Sequence, residues 1–457
     1  MTPTLLCRQG LLRATLHRAR RTTRCVCALA APERDSRLAA NQLRTAAALL
    51  ESLAPHVNSD AYLPSRVKEL CGERRFNSSS RRLYRELLFT YVRFWPWLSS
   101  LQSSAAADCA ALLAPATPEV TRLRQAGVLP PLLQGASTLE DARLELQALA
   151  SQELCSAAEL ATPSWLHGAL SGPAVPPELA CTRPPLFIRV YKRHLLPAIQ
   201  ADADALGVRL LETAVRDAFK AVPDTPGLTF DLTATDSFTR DGAFEVQDLG
   251  SQMLLEAVAP VAGTRWLDAC AGAGGKSLQL AALLGPDGAV RAEDVRPAAL
   301  EQLAVRAVRC GLSHRITRAP SPKATPPAKP LYDAVLVDAP CTGSGTWRRS
   351  PHLRWQLTPE RVQAAAAMQL QLLSTHAPRV APGGLLVYAT CSQAVAENEA
   401  VVAAFLENAG EDFEPAELPG VSTVGGVAHE HGAHLMVVSP QQHNTDAFFV
   451  AALRRRR

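Results

Sequence analysis

The stretch RWLDACAGAGGKS, residues 265–277, contains the pattern that decides the fold. A short apolar segment at 265–269 leads into a turn with three glycines, and a helical pattern begins near Gly275. A strand that ends in a glycine-rich turn and opens into a helix is typical of α/β sheets that bind nucleotide-like ligands, because glycine lets the backbone approach the ligand. The stretch therefore predicts a ligand-binding turn.

The same order of strand, loop and helix repeats through the C-terminal half of the chain. Strands are predicted near 265–269, 289–293, 315–318, 333–337, 384–389, 434–438 and 446–453. Helices are predicted near 275–284, 297–310, 359–378 and 395–409. This alternation is typical of a mainly parallel sheet with helices on both faces. A short turn joins the last two strands, which predicts an antiparallel strand at the edge of the sheet.

The fold class predicted for the whole chain is therefore α/β, with a Rossmann-like domain at 261–457. Residues 33–182 carry leucines at helical spacing and many prolines, which predicts an all-α N-terminal domain. Residues 183–260 alternate short strands, among them 228–232, with helices, which predicts a small α+β module. Residues 1–32 are rich in arginine and lack acids, as in a targeting segment or a disordered extension.

Length and charge narrow the possible functions. A chain of 457 residues is long enough for two or three domains. We find no apolar run of about 18 residues, the length that predicts a membrane span. The net charge is +4, but residues 1–32 hold six arginines and Arg454–Arg457 hold four, so the rest of the chain is acidic overall. Nucleic acid would therefore have to contact local arginine patches, such as Arg81, Arg82, Arg85 and Arg93 on one predicted helix, unless that face is only solvated.

The eleven cysteines are scattered without paired spacing. Cys25 and Cys27 form a single C-x-C with no second pair to complete a zinc site, so no metal site is predicted. This usage predicts free thiols and a reducing compartment, which we take to be the cytoplasm.

An acidic residue accompanies the glycine-rich turn. The second predicted strand of the Rossmann-like domain ends in Glu293-Asp294, about 20 residues after the turn. A carboxylate at this place commonly binds the ribose hydroxyls of a cofactor. The pattern predicts cofactor binding by the turn and Asp294, and from these residues alone NAD, ATP and S-adenosylmethionine all remain possible.

Two cysteines follow two further strands. Cys341 lies in DAPCTG, residues 338–343, and Cys391 lies in YATCS, residues 388–392. Both strand ends should overlook the crevice that contains the glycine-rich turn. The charge of Asp338 would raise the pKa of a neighbouring thiol, which favours a role for Asp338 on the substrate. The arginines at 348, 349 and 354 could lower the pKa of Cys341.

Four motifs together resemble the Fmu/Sun family of RNA 5-methylcytosine methyltransferases, of the ribosomal RNA methyltransferase B type. They are DACAGAGGKS at 268–277, DAPCTGSGTWRRSPHLRW at 338–355, VYATCSQAVAENEA at 387–400 and FEVQDLGSQ at 244–252. The resemblance covers residues 183–457 well. The helical N-terminus is only loosely similar to the RNA-binding domain of that family.

The resemblance implies S-adenosylmethionine-dependent methylation of cytosine carbon 5, with ribosomal RNA as the expected substrate and transfer RNA as the second. It implies that Cys391 attacks carbon 6 of the base, that Cys341 assists product release and that Asp338 hydrogen-bonds the cytosine edge. DNA methyltransferases instead use the P-C cysteine. The target base must be flipped out or single-stranded to reach the pocket. The acids at 397–399 are interpreted as capping and solvating the helix after Cys391.

For the cofactor, the resemblance implies contacts from the following residues: Cys270, Ala271, Gly272, Ala273, Gly274, Gly275, Lys276, Asp294 and Asp338. Two departures stand out. Ala273 replaces the usual proline, and residues 316–322 lack the acid that usually holds the adenine amine. The alternative of a different class is therefore a non-catalytic RNA-binding or ribosome-assembly factor. The protein is expected to be a monomer.

Overall fold

A computed structural model describes residues 33–60, 62–72, 75–320, 331–429 and 432–457. The predictions for residues 1–32 lie outside this part of the chain. The described residues form two compact units. One comprises Tyr62–Ser137, Leu144–Leu154 and the described part of Met1–His56, and the other comprises Cys155–Arg457 with two short segments, Val57–Ala61 and Thr138–Arg143.

The first unit is helical, as the leucine spacing predicts. In chain order, the helices before Cys155 are α1 at 33–53, α2 (Leu63–Cys71), α3 (Ser78–Arg93), α4 (Trp95–Leu98), α5 (Ser103–Leu113), α6 (Pro118–Gln125) and α7 (Leu139–Gln147). Helix α3 starts where the Asn77 side chain accepts a hydrogen bond from the Ser80 amide. Its predicted arginine face is incomplete, because Arg93 is buried and Arg82 pairs with Glu119 at 2.8 Å.

The second unit contains the remaining elements. Its helices are α8 (Ala157–Ala161), α9 (Pro177–Ala180), α10 (Leu196–Ala205), α11 (Asp236–Thr239), α12 (Leu249–Val258), α13 (Gly275–Leu283), α14 (Pro297–Arg309), α15 (His352–Trp355), α16 (Pro359–His376), α17 (Glu399–Ala409) and α18 (Pro440–His443). A small antiparallel sheet has the order β2 (Val208–Glu212), β3 (Ala218–Pro223), β1 (Leu186–Val190), β4 (Phe244–Val246). The strand predicted at 228–232 is wrong, and Phe244–Val246 pairs with β1 instead.

The large sheet confirms the predicted Rossmann-like architecture. Its strands are β5 (Arg265–Asp268), β6 (Ala289–Asp294), β7 (Ile316–Pro320), β8 (Tyr332–Asp338), β9 (Val380–Thr390), β10 (Phe413–Pro415), β11 (Val427–His429), β12 (Gly432–Val438) and β13 (Phe448–Arg455). The strands β7, β6, β5, β8 and β9 are parallel neighbours in that order. Strand β13 is antiparallel to β9, as predicted, but it lies between β9 and β12 and is not an edge strand.

The parallel strands are buried on both faces. Alternate residues point to opposite faces of a strand, so Val335 and Val337 belong to one apolar core and Ala334 and Leu336 to the other. Helices α16 and α17 supply residues such as Leu373 and Phe405 to the first core, and α13 and α14 supply the second. The functional loops therefore stand on strands that cannot shift without opening a packed core.

Residues 155–182 belong to the same compact unit as the Rossmann-like sheet, and not to the first, helical unit. Their backbone carbonyls are acceptors for side chains of that sheet's loops, described below. The division of the chain into functional parts at 182/183 and 260/261 stays a prediction. Within the part of the chain that the structure describes, none of the helices has the length and apolar character needed to cross a membrane.

Candidate active site

The carboxyl ends of β5, β6, β8 and β9 lie side by side, because these strands are parallel neighbours. The turn after β5, Asp294 at the end of β6, Asp338 at the end of β8 and Cys391 just after β9 therefore come to one edge of the sheet. This is where ligands bind in open α/β sheets.

The glycine-rich turn has the backbone conformation that its sequence predicts. Gly272 and Gly274 have φ of 53° and 89°, values that favour glycine. A Cβ on Gly274 would lie 2.6 Å from the Leu303 side chain, so the turn also packs closely on α14. The Ala271 amide donates to the Glu293 carbonyl at 2.9 Å, which ties the turn to β6. Ala273, which replaces the usual proline, accepts a 2.7 Å hydrogen bond from Arg306 through its carbonyl.

Asp294 closes this turn from the neighbouring strand. Its carboxylate accepts hydrogen bonds from the Gly272 amide at 2.8 Å and from the Arg296 amide and guanidinium at 2.8 and 3.0 Å. Burial alone would raise the pKa of Asp294, but these donors outweigh it and the pKa is lowered. An ionised Asp294 can accept hydrogen bonds from ribose hydroxyls once the largely exposed Arg296 side chain moves aside.

Below the turn, Asp268 is buried at the end of β5 and accepts a 2.6 Å hydrogen bond from the Ser277 hydroxyl. Desolvation raises the pKa of Asp268 to about 7. Cys270 lies in the same turn, two residues after Asp268, and packs against the apolar core. Burial together with nearby acids raises the pKa of Cys270. Cys270 is therefore a neutral thiol in this turn, unlike the two cysteines that follow β8 and β9.

Lys276, the last residue of the predicted turn, reaches across the sheet edge to Asp338. Its ammonium group donates to Asp338 Oδ2 at 2.7 Å, and the Lys276 side chain is nearly buried. The contact joins the turn after β5 to the loop after β8. Because the Asp338 side chain is 30% exposed, it can still contact a ligand.

The two predicted cysteines are brought together. Cys341 Sγ and Cys391 Sγ are 3.3 Å apart, within hydrogen-bond distance for sulfur, and both residues are half-buried. A hydrogen bond from Cys341 lowers the pKa of the Cys391 thiol; with the smaller effect of the Lys276 and Arg349 charges, it outweighs burial and the charge of Asp338, which raise this pKa. The pKa of Cys341 is raised by that hydrogen bond, by burial and by the charge of Glu397. Cys391 is thus the thiol that more readily becomes a thiolate.

The interpretation of Glu397 as a solvated cap is wrong. Glu397 is completely buried and accepts hydrogen bonds from residues of both cysteine loops. Its carboxylate bonds the Thr342 amide at 2.9 Å, the Thr342 hydroxyl at 2.5 Å and the Ser392 hydroxyl at 2.6 Å. Gln369 on α16 adds a fourth donor at 3.0 Å. Nothing in the sequence distinguishes this acid from Glu399, since both lie six to eight residues after Cys391.

The expected set of three arginines near Cys341 is also wrong in part. Arg354 is buried and donates to the Leu160 and Ala180 carbonyls at 2.5 and 3.3 Å, so it anchors the segment 155–182. Arg348 is buried as well and donates to Asn444 at 2.9 Å and to the Arg183 carbonyl at 3.2 Å. Only Arg349 has an exposed side chain, and its charge acts on Cys391.

The sequence also gave no indication that residues 169–171 hold the Cys391 loop through hydrogen bonds. The Ser171 amide donates to the Gln393 carbonyl at 2.8 Å, and the Val395 amide donates to the Ala169 carbonyl at 2.9 Å. The Ser171 hydroxyl accepts from Asn398 at 2.7 Å. Because these contacts join residues more than 200 positions apart, no local pattern could have predicted them.

Comparison with known proteins identifies this arrangement. Residues 255–454 match the family described as 16S rRNA methyltransferase RsmB/F. The match includes the glycine-rich turn, Asp294 and both cysteine loops, and it confirms the predicted resemblance to the Fmu/Sun family.

Individual relatives agree with this family. A protein of Mycobacterium tuberculosis named as a methyltransferase is 41% identical over 223 residues, which are 47% of each chain. The ribosomal RNA small subunit methyltransferase B of Pseudomonas syringae is 30% identical over 307 residues, 64% of this chain and 65% of that protein. The solved structure of PH0851 is similar in fold, with a TM-score of 0.65 at 20% identity, over 90% of this chain and 99% of that one. The chain spans about half the length of several of the curated relatives it matches.

Proposed function

We propose that this chain is an S-adenosylmethionine-dependent RNA cytosine-5 methyltransferase that acts on ribosomal RNA through a covalent cysteine–cytosine adduct. The observation that carries the proposal is the pair of thiols 3.3 Å apart beside the Lys276–Asp338 pair, at the sheet edge that holds the glycine-rich turn. The match of residues 255–454 to the family described as 16S rRNA methyltransferase RsmB/F supports the reaction class and the substrate class.

The residues of the turn fit S-adenosylmethionine. The positive φ of Gly272 and Gly274 shapes the turn, and a Cβ on Gly275 would meet open space, so the backbone there is accessible to a ligand. We propose that the amides of 270–275 lie along the cofactor, that Asp294 holds its ribose hydroxyls and that Lys276 and Asp338 close the far end. When bound, S-adenosylmethionine supplies the electrophilic methyl group that cytosine carbon 5 takes. The described residues 316–320 contain no acid for the adenine amine, so that contact differs from the family pattern.

Cys391 is the nucleophile in this proposal. Its lowered pKa favours the thiolate, which adds to carbon 6 and makes carbon 5 electron-rich. Asp338 accepts hydrogen bonds from the cytosine edge, and Lys276 keeps its carboxylate oriented toward the site. Cys341, with its raised pKa, remains a thiol that can protonate the Cys391 sulfur as the bond between carbon 6 and that sulfur breaks, and the Cys341 thiolate so formed can take the carbon 5 proton.

In DNA-type chemistry the cysteine at the Cys341 position would attack, and the trapping experiment below distinguishes the two thiols. Transfer RNA remains the second substrate candidate, and a non-catalytic RNA-binding or ribosome-assembly factor is the alternative of a different class. Retention of both thiols in contact gives no advantage to a protein that only binds RNA. A cytoplasmic location and a monomeric state remain predictions.

The test is transfer of a labelled methyl group from S-adenosylmethionine to unmethylated ribosomal RNA, with transfer RNA and DNA in parallel. The wild type should label ribosomal RNA, Cys391→Ser should label nothing, and Cys155→Ser, a half-buried cysteine outside the site, should behave as wild type. Absence of label from every nucleic acid with folded wild-type protein would favour the non-catalytic alternative.

The assignment of the two thiols is tested on a denaturing gel. Cys341→Ser should accumulate a slowly migrating protein–RNA adduct, because carbon 6 attack by Cys391 remains possible while release is slowed. RNA that contains 5-fluorocytosine should trap the wild type but not Cys391→Ser. Trapping of Cys391→Ser through Cys341, or trapping of DNA in preference to RNA, would contradict the proposed roles.

A further inference from the structure

Arg349 is the only exposed arginine of the motif at 338–355, and it lies at the opening of the site that contains the two thiols. The Arg349 side chain is 57% exposed, and its guanidinium lies 2.8 Å from Asp446 Oδ2, whose side chain is completely buried. Burial of a carboxylate is costly unless a cation compensates it. Arg349 makes the close ion pair with Asp446, and the positive charge of Arg348 also acts on this carboxylate.

Both members of this pair are tied to the nucleophile loop through the backbone. The Gly345 amide donates to the Cys391 carbonyl at 2.8 Å, and the Ala447 amide donates to the Gly345 carbonyl at 2.9 Å. Arg349 follows one turn later, with its amide bonded to the Thr346 carbonyl at 3.0 Å. The segment with Arg349 and the segment with Asp446 therefore lie next to Cys391 on one continuous ladder.

Asp446 is fixed in turn by its own surroundings. The Asp446 amide donates to Asp248 Oδ1 at 3.3 Å, and the Thr445 hydroxyl donates to Asp248 Oδ2 at 2.6 Å. Asp248 also caps α12 through the Gly250 amide at 2.8 Å. The carboxylate that holds Arg349 thus stands on a helix end and cannot follow the arginine into solvent.

We propose that Arg349, held in place by Asp446, is the binding subsite for a backbone phosphate of the RNA next to the target cytosine. The inference rests on the proposed function. A base that reaches the half-buried sulfurs must leave its charged phosphates at the rim, where Arg349 is exposed. A guanidinium that uses one side on Asp446 retains N–H donors for a phosphate, which it binds in a planar, two-pronged geometry. Residues 33–453 are acidic overall, so such a contact depends on placed arginines.

The test is binding of a fluorescent oligocytidylate RNA over a salt series, with KM for ribosomal RNA and for S-adenosylmethionine measured separately. Arg349→Ala should weaken RNA binding by about tenfold or more and lower the slope of log affinity against log salt by about 0.7. It should raise KM for RNA with little change in KM for S-adenosylmethionine. Arg349→Lys should restore the slope, and Asp446→Asn should raise KM for RNA because the guanidinium loses its anchor.

Arg456→Ala is the matched control. Arg456 is also half-exposed and paired, with Glu414 at 3.1 Å, but it follows β13 at the opposite edge of the sheet, since β13 runs antiparallel to β9. A salt slope and KM for RNA that are the same in Arg349→Ala and Arg456→Ala would overturn the inference. So would an equal rise of both KM values, which indicates general damage to the site.

Arg349→Gln keeps a hydrogen-bond donor for Asp446 without the charge and serves if the alanine variant does not fold. It should reduce the salt slope as the alanine change does, and an unchanged slope would overturn the inference. The salt dependence of RNA binding is measured without catalysis. Failure of the proposed function can therefore be distinguished from failure of the phosphate subsite. In that case the wild type transfers no methyl group while the difference between Arg349→Gln and Arg456→Ala in RNA binding can still be present.

Discussion

At the residue scale, the two cysteine side chains of the site are chemically identical but differ in pKa because of their surroundings. Cys391 faces Lys276 and Arg349, whereas Cys341 lies near Glu397. The hydrogen bond between the two sulfurs is the main cause of the difference: it favours a thiolate at the acceptor, Cys391, and a thiol at the donor, Cys341. The sequence predicts both positions, but the difference between their pKa values depends on the tertiary contact between the two loops.

Glu397→Gln should destabilise the protein. The four donors around Glu397 all point to carboxylate oxygens, and a glutamine would place an amide NH2 against some of them in a completely buried site. Leaving such groups unpaired costs about 1–3 kcal/mol. Urea unfolding should show this loss, and methyl transfer should fall because Thr342 and Ser392 flank the two thiols.

The matched control is Glu407→Gln, an exposed acid on α17 that should change the free energy of unfolding by less than about 0.5 kcal/mol. Equal stability of the two variants would contradict the role of Glu397 as the link between the cysteine loops.

Asp268→Asn should alter the pH dependence of stability. The pKa of Asp268 is raised from 3.8 to about 7 in the folded protein, so between these values the folded protein holds a proton that the unfolded chain releases. The stability contribution is fully present below about pH 4 and is lost as pH rises through 7, at up to about 1.4 kcal/mol per pH unit.

Urea unfolding at pH 5, 6, 7 and 8 measures this contribution. The asparagine can still accept the Ser277 hydroxyl but has no proton to bind. The wild type should therefore gain stability relative to Asp268→Asn as the pH falls from 8 to 5. A constant difference across this range would show that Asp268 titrates normally.

At the element scale, the site depends on short segments that hydrogen-bond side by side beyond the ends of the strands. Gly345 lies between the Cys391 carbonyl and Ala447 in the 3-10 turn Ser344–Thr346. This turn fixes the loop after β8 against the loop after β9 and against the start of β13. The spacing of the cysteines is therefore set by backbone contacts and not by the thiols themselves.

Gly345→Ala should separate these loops. A Cβ at Gly345 would lie 2.2 Å from the Ala447 carbonyl oxygen and 2.7 Å from that of Cys391, and both are backbone atoms. Relief of the overlap requires movement of the loops, at a cost of about 1–3 kcal/mol. Thermal unfolding should occur at lower temperature, and methyl transfer should be lost.

Gly168→Ala is the control, because a Cβ there has no atom within 4 Å and its φ is not positive. It should leave both measurements near those of the wild type. Wild-type activity in Gly345→Ala would show that the cleft tolerates a shift of the cysteine loops.

At the scale of the whole molecule, the segment 155–182 belongs with the Rossmann-like sheet. Its Leu160 and Ala180 carbonyls accept hydrogen bonds from Arg354, and Ser171 is hydrogen-bonded to the Cys391 loop. Sequence reasoning predicts a functional division at 182/183, since prolines end the helical pattern there. The compact unit nevertheless includes the residues from Cys155 onward.

Two truncated chains test which part the catalytic unit needs. A chain that begins at Cys155 should fold cooperatively and keep methyl transfer, although it loses the Val57 and Asp60 carbonyls that accept from Gln356. A chain that begins at Arg183 should unfold more easily and be inactive, because Arg354 becomes a buried cation without its acceptors. Equal activity and melting temperature of the two chains would contradict this assignment.

The sequence by itself determined where the parallel strands lie along the chain, the glycine-rich turn and the two cysteine positions. Each of these is a local pattern: apolar runs, glycines at left-handed turns and short motifs next to strand ends. Only the tertiary structure decided that Glu397 is buried, that Arg348 and Arg354 are anchors and that β13 lies inside the sheet. These facts depend on contacts between segments up to about 200 residues apart. A single sequence carries no signal for them, because the same acid or arginine is compatible with a solvated surface or a buried hydrogen-bond network.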